Sequence, residues 1–89
     1  MTFHVVFSED ARKVLKKLDP SAAMLLLGWI RKHLEGCEDP RRHGKALTAN
    51  HRGKWRYRVG DCRFLAEIRD AEVVILVLDI GHRREVCRQ

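Results

Sequence analysis

Eighty-nine residues allow one domain and leave no room for a second core. Apolar residues make up 45% of the chain, enough for a packed globule and too many for a disordered segment. A net charge of +6 points to a polyanionic or acidic partner, and no apolar run is long enough to span a bilayer.

Phe3-His4-Val5-Val6-Phe7 reads as a first strand, with Phe3, Val5 and Phe7 on one face. Ser8 suits the cap of a following helix, and Glu9 and Asp10 suit its first turn. Ala11, Val14, Leu15 and Leu18 form the apolar stripe of that helix. Asp19-Pro20 starts a second one, running to about Glu35 with Gly36 as terminator. This second helix is apolar more than half-way round, through Ala22, Ala23, Leu25, Leu26, Leu27, Trp29, Ile30 and Leu34. A wide core-facing stripe is the favoured reading of that arc, with a partner surface as the alternative. Gly28 in its middle suggests close helix packing.

Glu38 to Arg52 is polar and basic, a loop with one helical turn expected at Lys45–Ala49. The next stretch, Gly53 to Phe64, alternates strictly. Lys54, Arg56 and Arg58 project from one side of a strand, and Trp55, Tyr57 and Val59 from the other. Gly60-Asp61 supplies a two-residue hairpin turn, which sets Val59 against Cys62, Arg58 against Arg63 and Tyr57 against Phe64. Like charges directly opposite destabilise a sheet, so the Arg58–Arg63 pair points to an anion, with phosphate the expected one. From Arg41 to Arg69 there are nine Lys/Arg against two acids, Asp61 and Glu67. Interleaved aromatic residues favour a binding surface over a merely solvated face.

Asp70-Ala71 makes a further turn, and Val73 to Leu78 reads as a central strand buried on both faces. Gly81 ends it, leaving His82 to Arg88 as a short basic tail. The order β-α-α-β-β-β defines an α+β domain, residues 1–89, with a mainly antiparallel sheet and an N-terminal helix hairpin on one face. Trp55, Tyr57, Phe64, Ala66, Ile68, Val73, Ile75 and Val77 are expected under the helices. Arg56, Arg58, Arg63, Leu65, Leu76 and Leu78 are expected on the open face. The amino terminus lacks a basic region followed by an apolar one, so a cytoplasmic protein with no membrane partner is expected. Cys37, Cys62 and Cys87 are odd in number and lack metal-ligand spacing, so reduced thiols and no zinc or other cofactor are expected.

The run Gly53-Lys54-Trp55-Arg56-Tyr57-Arg58-Val59-Gly60-Asp61-x-Arg63 and the ending Asp79-Ile80-Gly81-His82-Arg83-Arg84-Glu85-Val86 resemble the RelE/ParE superfamily of type II toxins. The likeness is nearest to its RelE-type mRNA interferases. The resemblance implies a toxin that enters the ribosomal A site and cleaves mRNA by metal-independent attack of the ribose 2′-OH. It also implies a cognate antitoxin as partner, and operator DNA bound only as the toxin–antitoxin complex. By motif position the family's basic site residues correspond to Arg56, Arg58, Arg63 and Arg83. Lys45, Arg52, Lys54, Arg84 and Arg88 are expected to contact nucleic acid.

Two positions depart from the family pattern: Cys62 and Cys87 stand where it favours tyrosine. Cys87, near Arg83 and Arg84, can act as a thiolate base or be a small tail residue without a role, the second reading being favoured. His82 can serve in proton transfer or be a solvent-exposed tail residue. A Cys62–Cys87 disulfide is within conceivable reach but not expected in a reducing cytosol. Two other functions share the fold: a ParE-like toxin that binds a protein such as DNA gyrase, and a degenerate toxin that serves as an antitoxin-binding or operator-binding module.

Overall fold

The computed structural model describes residues 2–47 and 53–82. Its first strand, β1 (His4–Phe7), leads into α1 (Glu9–Lys17) through Ser8. The Ser8 hydroxyl accepts from the Ala11 N–H at 3.1 Å and donates to the Leu78 carbonyl at 2.8 Å, tying the helix start to the sheet. Glu9 and Asp10 occupy the first turn and Lys16 and Lys17 the last, as the helix dipole favours. Asp19 caps α2 (Pro20–His33) by accepting from the Ser21 N–H at 3.1 Å, with Pro20 in the first turn. This helix stops before Glu35, at Leu34. Gly36, at φ +78°, then turns the chain so that its N–H meets the Phe3 carbonyl at 2.8 Å.

The remaining strands are β2 (Lys45–Ala46), β3 (Lys54–Val59), β4 (Cys62–Arg69) and β5 (Val74–His82). They form one sheet with β1 in the order β1-β5-β4-β3-β2; β1 and β5 run parallel and the other pairs antiparallel. The α+β expectation holds, with an additional edge strand. The hairpin register is the expected one: Val59↔Cys62, Arg58↔Arg63 and Tyr57↔Phe64. Gly60 alone carries positive φ in this turn (+59°), the pattern of a type II′ turn, and Asp61 does not share it.

The helices cover one face. Leu26, Ile30 and Leu34 pack there on Tyr57, Phe64, Ala66, Ile75 and Val77, with Val59, Cys62, Ile68 and Ile80 in the same core. Val77 and Ile80 both face inward although three residues apart. A bulge makes this geometry: Ala66 pairs with Val77 and Leu65 with Asp79, leaving Leu78 as the extra residue that resets the alternation.

Several expectations are corrected. The helical turn placed at Lys45–Ala49 begins instead as β2, because Lys45 and Ala46 gain ladder partners in Arg56 and Trp55. The turn comes earlier, as a 3-10 turn at Pro40–His43 that Pro40 opens; residues 48–52 lie outside the described residues. Val73 precedes β5 and adopts φ +55° in a tight turn, a strained conformation for a β-branched residue. β5 is buried on one face only: Ile75, Val77 and Ile80 are buried, while Val74, Leu76 and Leu78 are half-buried. It also runs past Gly81 through His82. On α2 the wide apolar arc is only partly used. Met24 is 75% exposed, Leu25 59% and Leu27 36%, and a methyl group at Gly28 would meet nothing within 4 Å. Gly28 therefore serves no close helix packing.

Candidate nucleic-acid interface

Strict alternation along β3 and β4 sorts their side chains. Tyr57, Phe64 and Ala66 are buried under the helices, while Arg56, Arg58 and Arg63 are exposed on the open face. The edge strand β2 adds Lys45, registered opposite Arg56. Beside it the 3-10 turn brings Arg42 and His43. Together Arg42, His43, Lys45, Arg56, Arg58 and Arg63 line one cleft of about 410 Å³. Five of these six carry a permanent positive charge, and no acid among the described residues lines the cleft.

The ion pairs among the described residues are His4–Glu35, Arg41–Asp70, Arg69–Glu67 and Arg69–Glu72. None takes a cation from the cleft, so its charge is available to an external anion.

The turn that carries Arg42 and His43 is held at both ends. The buried Tyr57 hydroxyl donates to the Pro40 carbonyl at 2.8 Å, and its ring stacks on Phe64 with centroids 4.9 Å apart. Burial pushes the Tyr57 phenol well above its ordinary range, so it stays a donor. Arg41 forks onto Asp70 at 3.0 and 2.7 Å and lies over the Trp55 ring, 5.8 Å from its centroid. Gly44 follows the turn where the chain crosses Tyr57. A methyl group there would sit 2.8 Å from Tyr57 Cε2 and 3.1 Å from the Arg56 carbonyl oxygen, so only glycine allows the approach. The His43 ring packs against His33 at 5.2 Å and edge-on to Trp29 at 6.1 Å.

A second, smaller cleft of about 140 Å³ opens on the same face between β3, β4 and β5. Arg56, Arg63, Leu65, Asp79 and Gly81 line it, with Phe64, whose ring lies in the core on the other face.

The structure thus brings together Arg56, Arg58, Arg63 and Lys45 from the expected set. Lys54 stands apart, half-buried and opposite Glu67. His82 is the last residue of β5, in register with Cys62; it belongs to the strand rather than to a tail. Cys62 is in register with His82, and its side chain is buried in the core. Arg52, Arg83, Arg84, Cys87 and Arg88 lie outside the described residues. Arg42 and His43 were not anticipated; a proline opening a short basic run was their only local signal. No cluster of three or more metal-ligating side chains occurs among the described residues, and none of their helices is long and apolar enough to cross a membrane.

A helix hairpin on one face of a five-stranded sheet, with a cationic cleft on the other, defines the RelE/ParE-type toxin fold. Comparison with family models specifies it further. Residues 5–87 match the ParE toxin of type II toxin–antitoxin systems, and the chain belongs to that family. Solved structures similar to it include the RelBE2 toxin–antitoxin complex of Mycobacterium tuberculosis, 29% identical with a TM-score of 0.84, covering 93% of each chain. The archaeal RelE–RelB complex of Pyrococcus horikoshii is 25% identical with a TM-score of 0.69, covering 93% of this chain and 97% of the other. A mutant E. coli RelE toxin in the free state is similar in fold, at 22% identity and a TM-score of 0.74, covering 96% of this chain and 87% of that one. A comparison with curated proteins gave no match.

Proposed function

We propose that this type II toxin is a ribosome-dependent endoribonuclease that cleaves mRNA with the cationic open face. The observation that carries this reading is the exposed Arg58–Arg63 pair, set beside Arg56 and Lys45 in a cleft that no acid among the described residues lines. In the reaction the ribose 2′-OH attacks the adjacent phosphorus. The O2′–P bond forms and the P–O5′ bond breaks, giving a 2′,3′-cyclic phosphate and a 5′-OH. The 2′-OH proton leaves to a base, and the departing 5′-oxygen receives one. Negative charge grows on the non-bridging oxygens, where fixed guanidiniums from two adjacent strands can meet it. They also align the attacking and leaving oxygens, which lowers the barrier further. His43 brings an imidazole, a proton carrier, to the same cleft. Arg83 completes the set by motif position.

An antitoxin fits the remaining surface. Acidic side chains suit the arginines, and apolar ones suit the exposed Met24, Leu25 and Leu27 of α2 or the half-buried Leu65 and Leu76. Operator DNA would be met only through that complex. The matched structures from M. tuberculosis and P. horikoshii are themselves toxin–antitoxin complexes. The cytoplasm, where ribosome and mRNA are found, is the compartment this reading requires.

The ParE family match favours one second reading, a toxin that binds a protein such as DNA gyrase and does no chemistry. Induced expression followed by mapping of 5′-OH mRNA ends separates the two. Ends confined to A-site codons are expected. Growth arrest with no new ends, together with inhibited gyrase supercoiling, would replace the endonuclease with the second reading.

A further inference from the structure

Arg56 and Arg63 wall both clefts, the wide cationic one and the small one between β3, β4 and β5. A group held by these two guanidiniums therefore stands at a junction. A phosphate there has its charge met from the wide side, and the base attached through its sugar has the small cleft beside it. That cleft, at about 140 Å³, is of the bulk of a single nucleobase, and Leu65 gives it an apolar surface, as the face of a base requires.

Among the described residues, Asp79 is the one acid that lines either cleft. In a site for phosphate alone a carboxylate is a liability, because it repels the ligand that the arginines attract. Nor does Asp79 neutralise its neighbours, for it takes no part in the ion pairs among the described residues. Its exposed side chain is held in place instead: Oδ1 accepts from the Ile80 N–H at 2.9 Å, just after the bulge at Leu78. The other carboxylate oxygen is left as an acceptor at the cleft wall. An ionised carboxylate only accepts hydrogen bonds.

We propose that Asp79 reads the base beside the bound phosphate, admitting bases with an exocyclic amino group and rejecting uracil. The proposal rests on the RNA-binding reading of the same face. Cytosine, adenine and guanine each offer amino N–H groups on the Watson–Crick edge, which a carboxylate can accept. Uracil has no amino group there: its single N3–H is flanked on both sides by carbonyl oxygens, which repel the carboxylate. Leu65, in register with Asp79, keeps water from one side of the contact and so sharpens the discrimination.

The test is fluorescence anisotropy of the full chain with labelled tetranucleotides rC4, rA4 and rU4 at fixed salt. Wild type is expected to bind rC4 and rA4 about 10-fold more tightly than rU4, within what one good base contact supplies. Asp79→Asn keeps an oxygen for the Ile80 N–H, so the strand is preserved, and adds a donor for a uracil carbonyl. It should raise rU4 to the level of rC4 or above. Arg63→Ala should weaken all three alike. Salt-dependent binding without base preference, or a preference unchanged by Asp79→Asn, overturns the role of Asp79 and leaves the RNA reading standing. If none of the three binds, the RNA reading falls and the role of Asp79 with it.

Discussion

Arg58 and Arg63 stand directly opposite each other across the β3–β4 hairpin, both exposed on the face the helices leave open. The two-residue turn at Gly60-Asp61 fixes this register, and a slip of one strand by one residue would turn its arginine toward the helix-covered face. Fold and function therefore pull in opposite directions here. Like charges in this position cost the sheet roughly 0.2–1 kcal/mol, while a phosphate placed between them gains two charge-assisted contacts.

Replacing one partner should separate the two effects. Arg63→Ala is expected to raise unfolding stability by a few tenths of a kcal/mol, as the repulsion is relieved. It should also weaken RNA binding and lower the slope of log K against log salt by about 1. Urea denaturation and salt-titrated anisotropy measure these. Loss of stability, or an unchanged slope, would show that Arg63 is a structural residue.

Tyr57 should matter to the fold and, through the 3-10 turn, to the cleft. Tyr57→Phe removes the donor to the Pro40 carbonyl and leaves a buried acceptor unsatisfied, at a cost of about 1–3 kcal/mol. Because that turn carries Arg42 and His43, RNA affinity should fall as well. Denaturation and binding measured on the same variant check this, and an affinity equal to wild type would show that the turn is positioned without the tyrosine.

The Arg41–Asp70 fork predicts a pH dependence. Hydrogen bonds from Arg41 are the chief cause holding the Asp70 carboxyl below its usual range. A folded value below the unfolded one, near ~3.9, means that the stabilisation is present above that pH and is lost as pH falls through the folded value. Asp70→Asn should thus be less stable than wild type at neutral pH, and the gap should close in acid. Urea midpoints near neutrality and below about pH 3 give the comparison. A gap of equal size at both would contradict an electrostatic origin.

Gly28 is a helix-interior glycine with open space where a side chain would go. Gly28→Ala is expected to stabilise the protein by about 1 kcal/mol in thermal or chemical unfolding. If antitoxin packs closely on this face, the same substitution will weaken the complex while it strengthens the free toxin. A loss of stability in the free protein would mean that the position is more crowded than described.

The sequence was most legible where a short-range rule left no freedom. Ser8 and Asp19 are caps in the structure as their residue types require, and period-two alternation with a two-residue turn fixed the placement of Arg56, Arg58 and Arg63. What escaped depended on partners distant in the chain. Lys45 and Ala46 became a strand because β3 offered them a ladder, and Pro40–His43 became a turn that Tyr57 and Asp70 hold from outside. The bulge at Leu78 has no local signature, so the inward turn of Ile80 and the placement of Asp79 beside Arg56 and Arg63 could not be read from alternation. For the exposed Met24, Leu25 and Leu27 of α2 the partner surface was only the alternative, because an apolar arc on a helix favours core unless something else covers it.

The most direct measurement is single-turnover cleavage of mRNA on programmed ribosomes, comparing wild type with Arg56→Ala and Arg63→Ala. Wild type should cut within the A-site codon and leave 5′-OH ends. Each variant should retain its fold and lose ~100- to 1000-fold in rate, the usual cost of removing one preorganised donor to a charged transition state. Cleavage by either variant at the wild-type rate, or no cleavage by folded wild-type protein, would contradict a catalytic arginine face.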